Sequence, residues 1–326
     1  MEQKSLSDLQ QKLQELISPS PVQVINHPIL TAKNINVSVK RDDLLHTHIS
    51  GNKWRKLKFN LIAARKSGID HIVSFGGAYS NHIHALAAAG YYLGFKTSAI
   101  IRGEPHYANN PTLKQAQRWG MQLHFVTRQE YRDRADSAYL QKLQQRFSDA
   151  IIVPEGGSNA QAITGVSELC HEINTQTEKN VDHIITATGS GGTLAGLIAG
   201  FSEVNNNQTK VTGIAVLKQA EYLNQQVVQL LAQANKKITV PWQLHTQYHG
   251  GGYAKVSPPL AEFCLAFEQQ TTIPIEPIYT GKMFYALFEL IKQDYFSAGD
   301  NIIALHTGGL QGLQGLQQQK DKRNKK

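Results

Sequence analysis

His183-Ile184-Ile185-Thr186-Ala187-Thr188-Gly189-Ser190-Gly191-Gly192-Thr193 is the stretch that decides the fold. A short apolar run rich in β-branched residues reads as a buried strand. It breaks into a glycine turn, and small residues then continue as a helix to Gly200. A strand running through glycines into a helix is the repeating unit of a parallel α/β sheet. The N–H groups of such a turn point outward and the helix dipole adds to them, so a phosphate fits there, with the Thr193 hydroxyl as one more donor. The alternative at this point is a tight strand-to-helix turn without a ligand.

The same alternation runs outward from this stretch. Leu6, Leu9, Leu13 and Leu16 mark an amphipathic helix over 5–17, stopped by Ser18-Pro19-Ser20-Pro21. An extended run, 37–43, leads to a glycine turn, after which Trp54, Leu57, Leu61 and Ala64 share one helix face. Strands are predicted at 71–75, 96–102, 121–126, 150–153, 211–217 and 302–305. Between them the pattern predicts helices over 80–93, from Asn110-Pro111, over 128–147 and 160–173, in the Gln-rich stretch after 217, and over 283–291. The fold class is therefore α/β with mainly parallel sheets, and 326 residues suffice for two of them. The Gly-Leu-Gln triplets of 309–317 are too few for a collagen-like repeat and are expected to open a closely packed helix.

Composition narrows the classes. With 41% hydrophobic and 18% charged residues the chain is an ordinary globular protein with disorder only at its ends. No signal-type apolar core and no membrane-length run is present, so no membrane partner is expected. Cys170 and Cys264 make neither a CxxC pair nor a metal cage, and read as reduced, buried thiols of a cytoplasmic protein. Of the net charge of +8, half lies in 320–326, where five basic residues face one acid. Residues 319–326 read as a disordered basic tail that aids solubility, and no motif supports a nucleic-acid partner. The pairs His46/His48, His82/His84 and His245/His249 lack zinc spacing, so no metal is expected, and GxSxG is absent.

Gly51-Asn52-Lys53-Trp54-Arg55-Lys56-Leu57 places Lys53 at a helix N-terminus, where the positive dipole end lowers the pKa of an amine. A lysine that loses its charge easily can form a Schiff base. Against this stands the reading of Lys53 as one solvated charge among 33 lysines and arginines. The anion at 188–193 is not a dinucleotide, because Leu194 replaces the last glycine of GxGxxG and no acid lies between Val204 and Ala220. Nor is Gly281-Lys282-Met283 a Walker loop. A small phosphorylated ligand or cofactor remains. Gly76-Gly77-Ala78-Tyr79-Ser80-Asn81-His82 is a second junction, able to hold a carboxylate, with Ser80 as a plain N-cap the alternative. Glu155-Gly156-Gly157-Ser158-Asn159 is a third.

Taken together and in order, these motifs resemble the D-cysteine desulfhydrase / 1-aminocyclopropane-1-carboxylate (ACC) deaminase family of fold-type II pyridoxal-phosphate enzymes. The resemblance runs from Val39 to about Gly315 and also includes Lys40-Arg41-Asp42-Asp43, Pro277-Ile278-Tyr279-Thr280-Gly281-Lys282 and His306-Thr307-Gly308-Gly309. It implies pyridoxal 5′-phosphate as cofactor, carried by Lys53 as a Schiff base, with Lys53 then moving the proton. Ser190, Gly191, Gly192 and Thr193 would bind the phosphate, and Asn81 the ring 3′-oxygen. Thr307 would also contact the cofactor. Ser80, Asn81, His82, Tyr253, Tyr279 and Thr280 would meet the substrate, with Ser80 and Tyr279 catalytic beside Lys53.

The family's ACC deaminases are expected to have Glu after the tyrosine and an apolar residue at the later position, where this chain has Thr280 and Thr307. A carboxylate keeps a pyridine nitrogen protonated and strengthens the electron sink; a hydroxyl leaves it neutral. The threonines therefore favour loss of a good leaving group, giving sulfide, ammonia and pyruvate from D-cysteine. Alternatives are ACC deamination, elimination from L-cysteate or β-chloro-D-alanine, and a non-catalytic anion-binding protein on the same fold. Ala78-Tyr79 and Trp54 depart from the pattern near the expected substrate. The resemblance further implies a homodimer, a large domain (1–47 with 165–326), a small domain (48–164), and the cofactor between them.

Overall fold

The computed structural model describes residues 5–49, 51–204 and 208–313. Its first part comprises α1 (Leu6–Leu16), β1 (Val22–Val24), α2 (Pro28–Lys33), β2 (Asn36–Lys40), α3 (Gly51–Lys66), β3 (His71–Gly77) and α4 (Asn81–Leu93). Next come β4 (Lys96–Arg102), α5 (Pro111–Arg118), β5 (Gln122–Val126), α6 (Ser137–Arg146), β6 (Ala150–Val153) and α7 (Ala160–Gln176). The last part holds β7 (His183–Thr188), α8 (Gly192–Glu203), β8 (Lys210–Ala215), α9 (Tyr222–Gln233), β9 (Trp242–His245), α10 (Pro258–Thr271), α11 (Thr280–Lys292) and β10 (Asn301–Leu305).

The strands form two sheets. One has six strands in the order β1-β2-β10-β7-β8-β9, the other four in the order β5-β4-β3-β6. Every pairing is parallel except β1 with β2. Helices cover both faces, which is why the central strands read as continuous apolar runs. In the larger sheet Ile184, Val211, Ile303 and Leu305 pack with α7, α8 and α9. Their neighbours Ile185, Ile214, Ile302 and Ala304 turn the other way, toward α2, α10 and α11. In the smaller sheet Ile72, Ala99 and Ile101 face α1, α3, α4 and α5, while Val73, Phe75 and Ile100 face Leu143 of α6 and Phe147 just after it.

Helix α3 docks on α7 at close range. A side chain at Gly165 would overlap the Arg55 carbonyl oxygen, so α7 can approach only through a glycine. Beside this contact Arg55 pairs with Asp42 at 2.9 Å and with Glu172, and Glu172 also takes Lys40 at 3.0 Å. Removing one partner of so buried a network costs ~3–5 kcal/mol.

The periodicity reading differs from the structure in a few places. The single helix expected over 128–147 is broken: Glu130–Asp133 is one 3-10 turn, and α6 starts afresh at Ser137. The Asp136 carboxylate makes the break by accepting from the N–H groups of Ala138 (2.9 Å) and Tyr139 (3.0 Å) as an N-cap. The extended run 37–43 ends as a strand at Lys40, and Asp42–Leu44 turns. β1, α2, β9 and α10 were not anticipated; β1 and β9 are three and four residues long and lie at sheet edges, too short for a period to show. Trp54 is only 3% exposed and packs in the core with Leu57 and Leu61.

Cys170 and Cys264 are free and buried. Among the described residues no helix is long and apolar enough to cross a membrane, and no cluster has the make-up of a metal site. The basic tail 319–326, and the Gly-Leu-Gln repeat beyond Leu313, lie outside the described residues.

Candidate active site

Strands of both sheets, among them β3, β4 and β7, end at one cavity of about 1460 Å³. Its floor is the junction after β7. Gly191 adopts φ +76° as the N-cap of α8, a conformation that favours glycine, and no side chain caps this helix. The first N–H groups of α8 are therefore left for a ligand. A side chain at Gly192 would come within 2.5 Å of Ser158 Oγ. The backbone can reach this position only as glycine.

Lys56, one helical turn after Lys53 on α3, projects to the same junction. Its Nζ donates to Ser158 Oγ (3.0 Å), Ser190 Oγ (3.2 Å) and the Gly156 carbonyl (3.2 Å). Ser158 and Ser190 are themselves 2.8 Å apart. Lys56 is 1% exposed and has no acidic partner among the described residues. Burial, and then the charge of Lys53, hold its pKa well below the usual lysine range. A buried amine among neutral oxygens and free N–H groups would regain its charge beside a bound anion. This chemistry fits a phosphate. The Thr193 hydroxyl oxygen accepts from Asn52 Nδ2 at 2.8 Å, which orients its own proton.

Lys53 is half-buried, with its exposed part on the cavity. Burial pushes its pKa down from 10.5 to about 8, against the pull of the Glu276 carboxylate. Desolvation is the leading cause of this shift. An amine so placed suits condensation with an aldehyde. Between pH about 8 and 10.5 the folded chain holds fewer protons at Lys53 than the unfolded chain, so this group makes stability rise with pH across that window. Addition of pyridoxal phosphate to cofactor-free protein should give colour at a rate that climbs with pH through a midpoint near 8. A midpoint at the ordinary lysine value would show that Lys53 is not the reacting amine.

The turn after β3 forms the opposite wall. Ser80 N-caps α4, accepting from the Ile83 N–H at 3.3 Å, and its own proton remains available. Ser80 and Asn81 line the cavity, as do Ala78 and Tyr79. His82 is 2% exposed and bonds Ser74 Oγ through Nε2 at 2.7 Å. Burial, then the charges of Lys53 and Lys56, hold it neutral, and its Nδ1 has no protein partner among the described residues. From the larger sheet come Thr307, which lines the cavity, and Tyr279. The Tyr279 hydroxyl donates to that of Tyr253 at 3.4 Å, and burial keeps its phenol protonated well above the usual range.

Of the expected substrate-contacting residues, Thr280 is the one the structure sets apart. It is fully buried, does not line the cavity, and spends its hydroxyl on the Glu276 carboxylate at 3.1 Å. Glu276 also accepts from the N–H groups of Ile278 (2.7 Å), Tyr279 (3.0 Å) and Thr280 (2.7 Å). Burial nevertheless raises its pKa to about 7. Of the two threonines, only Thr307 faces the ligand space. Sequence reading missed Lys56 and Glu276. Lys56 had a visible signal, three residues after Lys53 and so on the same helix side; Glu276 had none, since its role depends on a turn closed in three dimensions.

A family model described as pyridoxal-phosphate dependent enzyme matches residues 15–308. A Pyrococcus horikoshii protein provisionally named 1-aminocyclopropane-1-carboxylate deaminase is 31% identical over 288 residues, 85% of each chain. The Arabidopsis thaliana bifunctional D-cysteine desulfhydrase/1-aminocyclopropane-1-carboxylate deaminase, mitochondrial, is 31% identical over 322 residues, covering 92% of this chain and 79% of that one. The crystal structure of an ACC deaminase homologue superposes with a TM-score of 0.80 at 28% identity, covering 93% of this chain and 95% of that one. The serine racemase of Dictyostelium discoideum, at 18% identity and a TM-score of 0.65 over 94% of this chain and 99% of its own, shares the fold. The uncapped helix start, its buried lysine and the half-buried Lys53 thus belong to a pyridoxal-phosphate dependent enzyme of the ACC deaminase/D-cysteine desulfhydrase family.

Proposed function

We propose that the protein is a lyase that eliminates the β-substituent of a small amino acid, with D-cysteine giving sulfide, ammonia and pyruvate. What carries this reading is the charge of the cavity wall. Glu155 is the single acid among the described lining residues, and Tyr131 (2.8 Å) and Arg134 (2.5 Å) take its two oxygens. Among the described lining residues no free carboxylate is left to hold a pyridine nitrogen protonated, and Thr307 would offer a neutral hydroxyl instead.

Lys56, Ser158, Ser190 and the N–H groups of α8 would hold the cofactor's phosphate, and Lys53 its aldehyde carbon. Bound pyridoxal phosphate supplies the electron sink for charge developing at the substrate's α-carbon. Around it the chain's own groups divide the work. Lys53, with its pKa lowered to about 8, is tuned to accept the α-proton near neutral pH. Ser80 and Asn81, at the N-terminus of α4, would hold the substrate carboxylate. Tyr279, kept protonated by burial, can donate its proton at the departing group. A wall that offers a hydroxyl and no carboxylate at the ring would suit departure of a thiolate better than opening of a cyclopropane.

ACC deamination is the second reading, supported by the names of the relatives. The test is turnover by the holoenzyme of D-cysteine, L-cysteine and ACC, each supplied alone. Sulfide and pyruvate from D-cysteine, with no product from ACC, is the expected result. 2-Oxobutyrate from ACC at a comparable rate would overturn the assignment, and sulfide from L-cysteine alone would overturn the stereochemistry.

A further inference from the structure

Cofactor and D-cysteine together would leave the outer wall of this cavity unused. The cavity's volume of about 1460 Å³ must take the cofactor at the phosphate junction and Lys53 as well as the substrate, yet exceeds the roughly 300–1,000 Å³ of ordinary small-ligand sites. The outer wall comes from the end of β4 and the segment between β5 and α6. It carries Arg102, Arg128, Arg132 and Arg134 against the single acid Glu155. Glu155 occupies Arg134 and no other arginine. Arg102, Arg128 and Arg132 have no acidic partner among the described residues.

Arg102 is tied to the substrate wall. It pairs in register with Gly77, the residue that opens the turn carrying Ser80 and Asn81. Its Nη2 lies 3.6 Å from where a side chain at Gly77 would begin. Its guanidinium lies 5.6 Å from the ring of Tyr131, whose hydroxyl is spent on Glu155. The guanidinium fork therefore borders the space beyond Ser80 with its donors unspent, a geometry that suits a carboxylate or another oxyanion. A substrate α-carboxylate held at Ser80 and Asn81 would leave these donors for a different group.

We propose that the preferred substrate carries a second anionic group at the far end of its β-substituent, received by Arg102 with Arg128 and Arg132; this rests on the elimination reading above. The matching class is a cysteine thioether whose sulfur bears a short chain ending in a carboxylate. The α-proton passes to Lys53, the C–S bond breaks, and sulfur leaves with the electron pair and takes up a proton as a thiol. The remaining three-carbon enamine takes up one water and releases pyruvate and ammonium. One thioether and one water thus give one thiol, one pyruvate and one ammonium, with no oxidant or reductant.

The experiment compares S-carboxyethyl-cysteine with its neutral isostere S-carbamoylethyl-cysteine, each as both enantiomers, on the holoenzyme. The carboxylate is expected to have the higher kcat/KM by about tenfold, with the advantage shrinking as salt is added. The ratio should fall toward one in Arg102→Gln and in the double variant Arg128→Gln/Arg132→Gln, whose positions are exposed and leave the fold intact. Calorimetric binding of thiodipropionate and its monoamide gives a readout without chemistry; the diacid should bind tighter in the unsubstituted protein only. Equal kcat/KM for the two thioethers, or a preference undiminished in every arginine variant, would overturn the inference. If neither thioether is cleaved and the diacid still binds tighter in an arginine-dependent way, the anion site stands and the elimination reading falls. Equal binding of diacid and monoamide in that case overturns both.

Discussion

Lys53→Ala should yield a folded, colourless protein with turnover reduced on the order of 10⁴-fold, the scale set by loss of a positioned proton-transfer group. The expectation follows from what surrounds the amine. Lys53 lines the cavity, and burial brings its pKa to about 8, so a neutral fraction exists near physiological pH. Lys56 is also buried, but its Nζ is spent on Ser158, Ser190 and Gly156, and it does not replace Lys53. Lys53→Arg should be as inactive as Lys53→Ala, because a guanidinium keeps its charge in any surroundings. Visible absorption and reduction of the bound cofactor with borohydride, followed by peptide mapping, check the site. A label found at Lys56 in place of Lys53 would reassign the two lysines.

Gly51→Ala should be the most damaging single-methyl change in the site. Gly51 has φ +68°, where an alanine is strained whatever the space around it. The space is absent as well: the added carbon would overlap the Thr307 carbonyl oxygen and come within 2.9 Å of the Gly308 nitrogen. Backbone strain and overpacking together are expected to cost about 3 kcal/mol or more. The Asn52 N–H, which donates to the Thr307 carbonyl at 3.3 Å, would be displaced with it. Thermal unfolding of the variant should begin well below that of the unsubstituted protein. Any protein that folds should have lost cofactor affinity, since Lys53 is two residues away. An unchanged transition with full colour would mean that α3 can retreat from β10 without consequence.

These two expectations show how the site depends on the meeting of the two sheets. Helix α3 brings Asn52, Lys53 and Lys56 from the side of the smaller sheet. The junction after β7 and the loop after β10 bring Ser190, Thr193 and Thr307 from the larger. The glycines at 51, 165 and 192 stand where backbone or ligand-binding atoms approach closer than any side chain would permit. Their positive φ or lack of a Cβ serves contact between elements rather than flexibility.

The sequence by itself determined the α/β class, most strands and helices, and the identity of the three glycine junctions. Apolar runs such as Ile184-Ile185 and Ile302-Ile303 must be covered on both faces, and the periodicity of the intervening segments leaves helices to cover them. Lys53, Ser80, Asn81 and the 190–193 loop stood out because each lies where a glycine turn opens a helix, where local chemistry is already directional. Only the tertiary structure decided which of these groups meet and in what state. Thr280 follows Tyr279 directly, yet its hydroxyl turns inward to Glu276, because the first turn of α11 closes over that carboxylate. Trp54 follows Lys53 and points into the core, because adjacent residues on a helix lie about 100° apart. The lowered pKa of Lys53 comes from burial, a property of the whole packing rather than of its neighbours in the chain. The arginine wall has the same origin: Arg102, Arg128 and Arg132 are ordinary charges in the sequence and become one surface only where β4 and the segment after β5 line the same cavity.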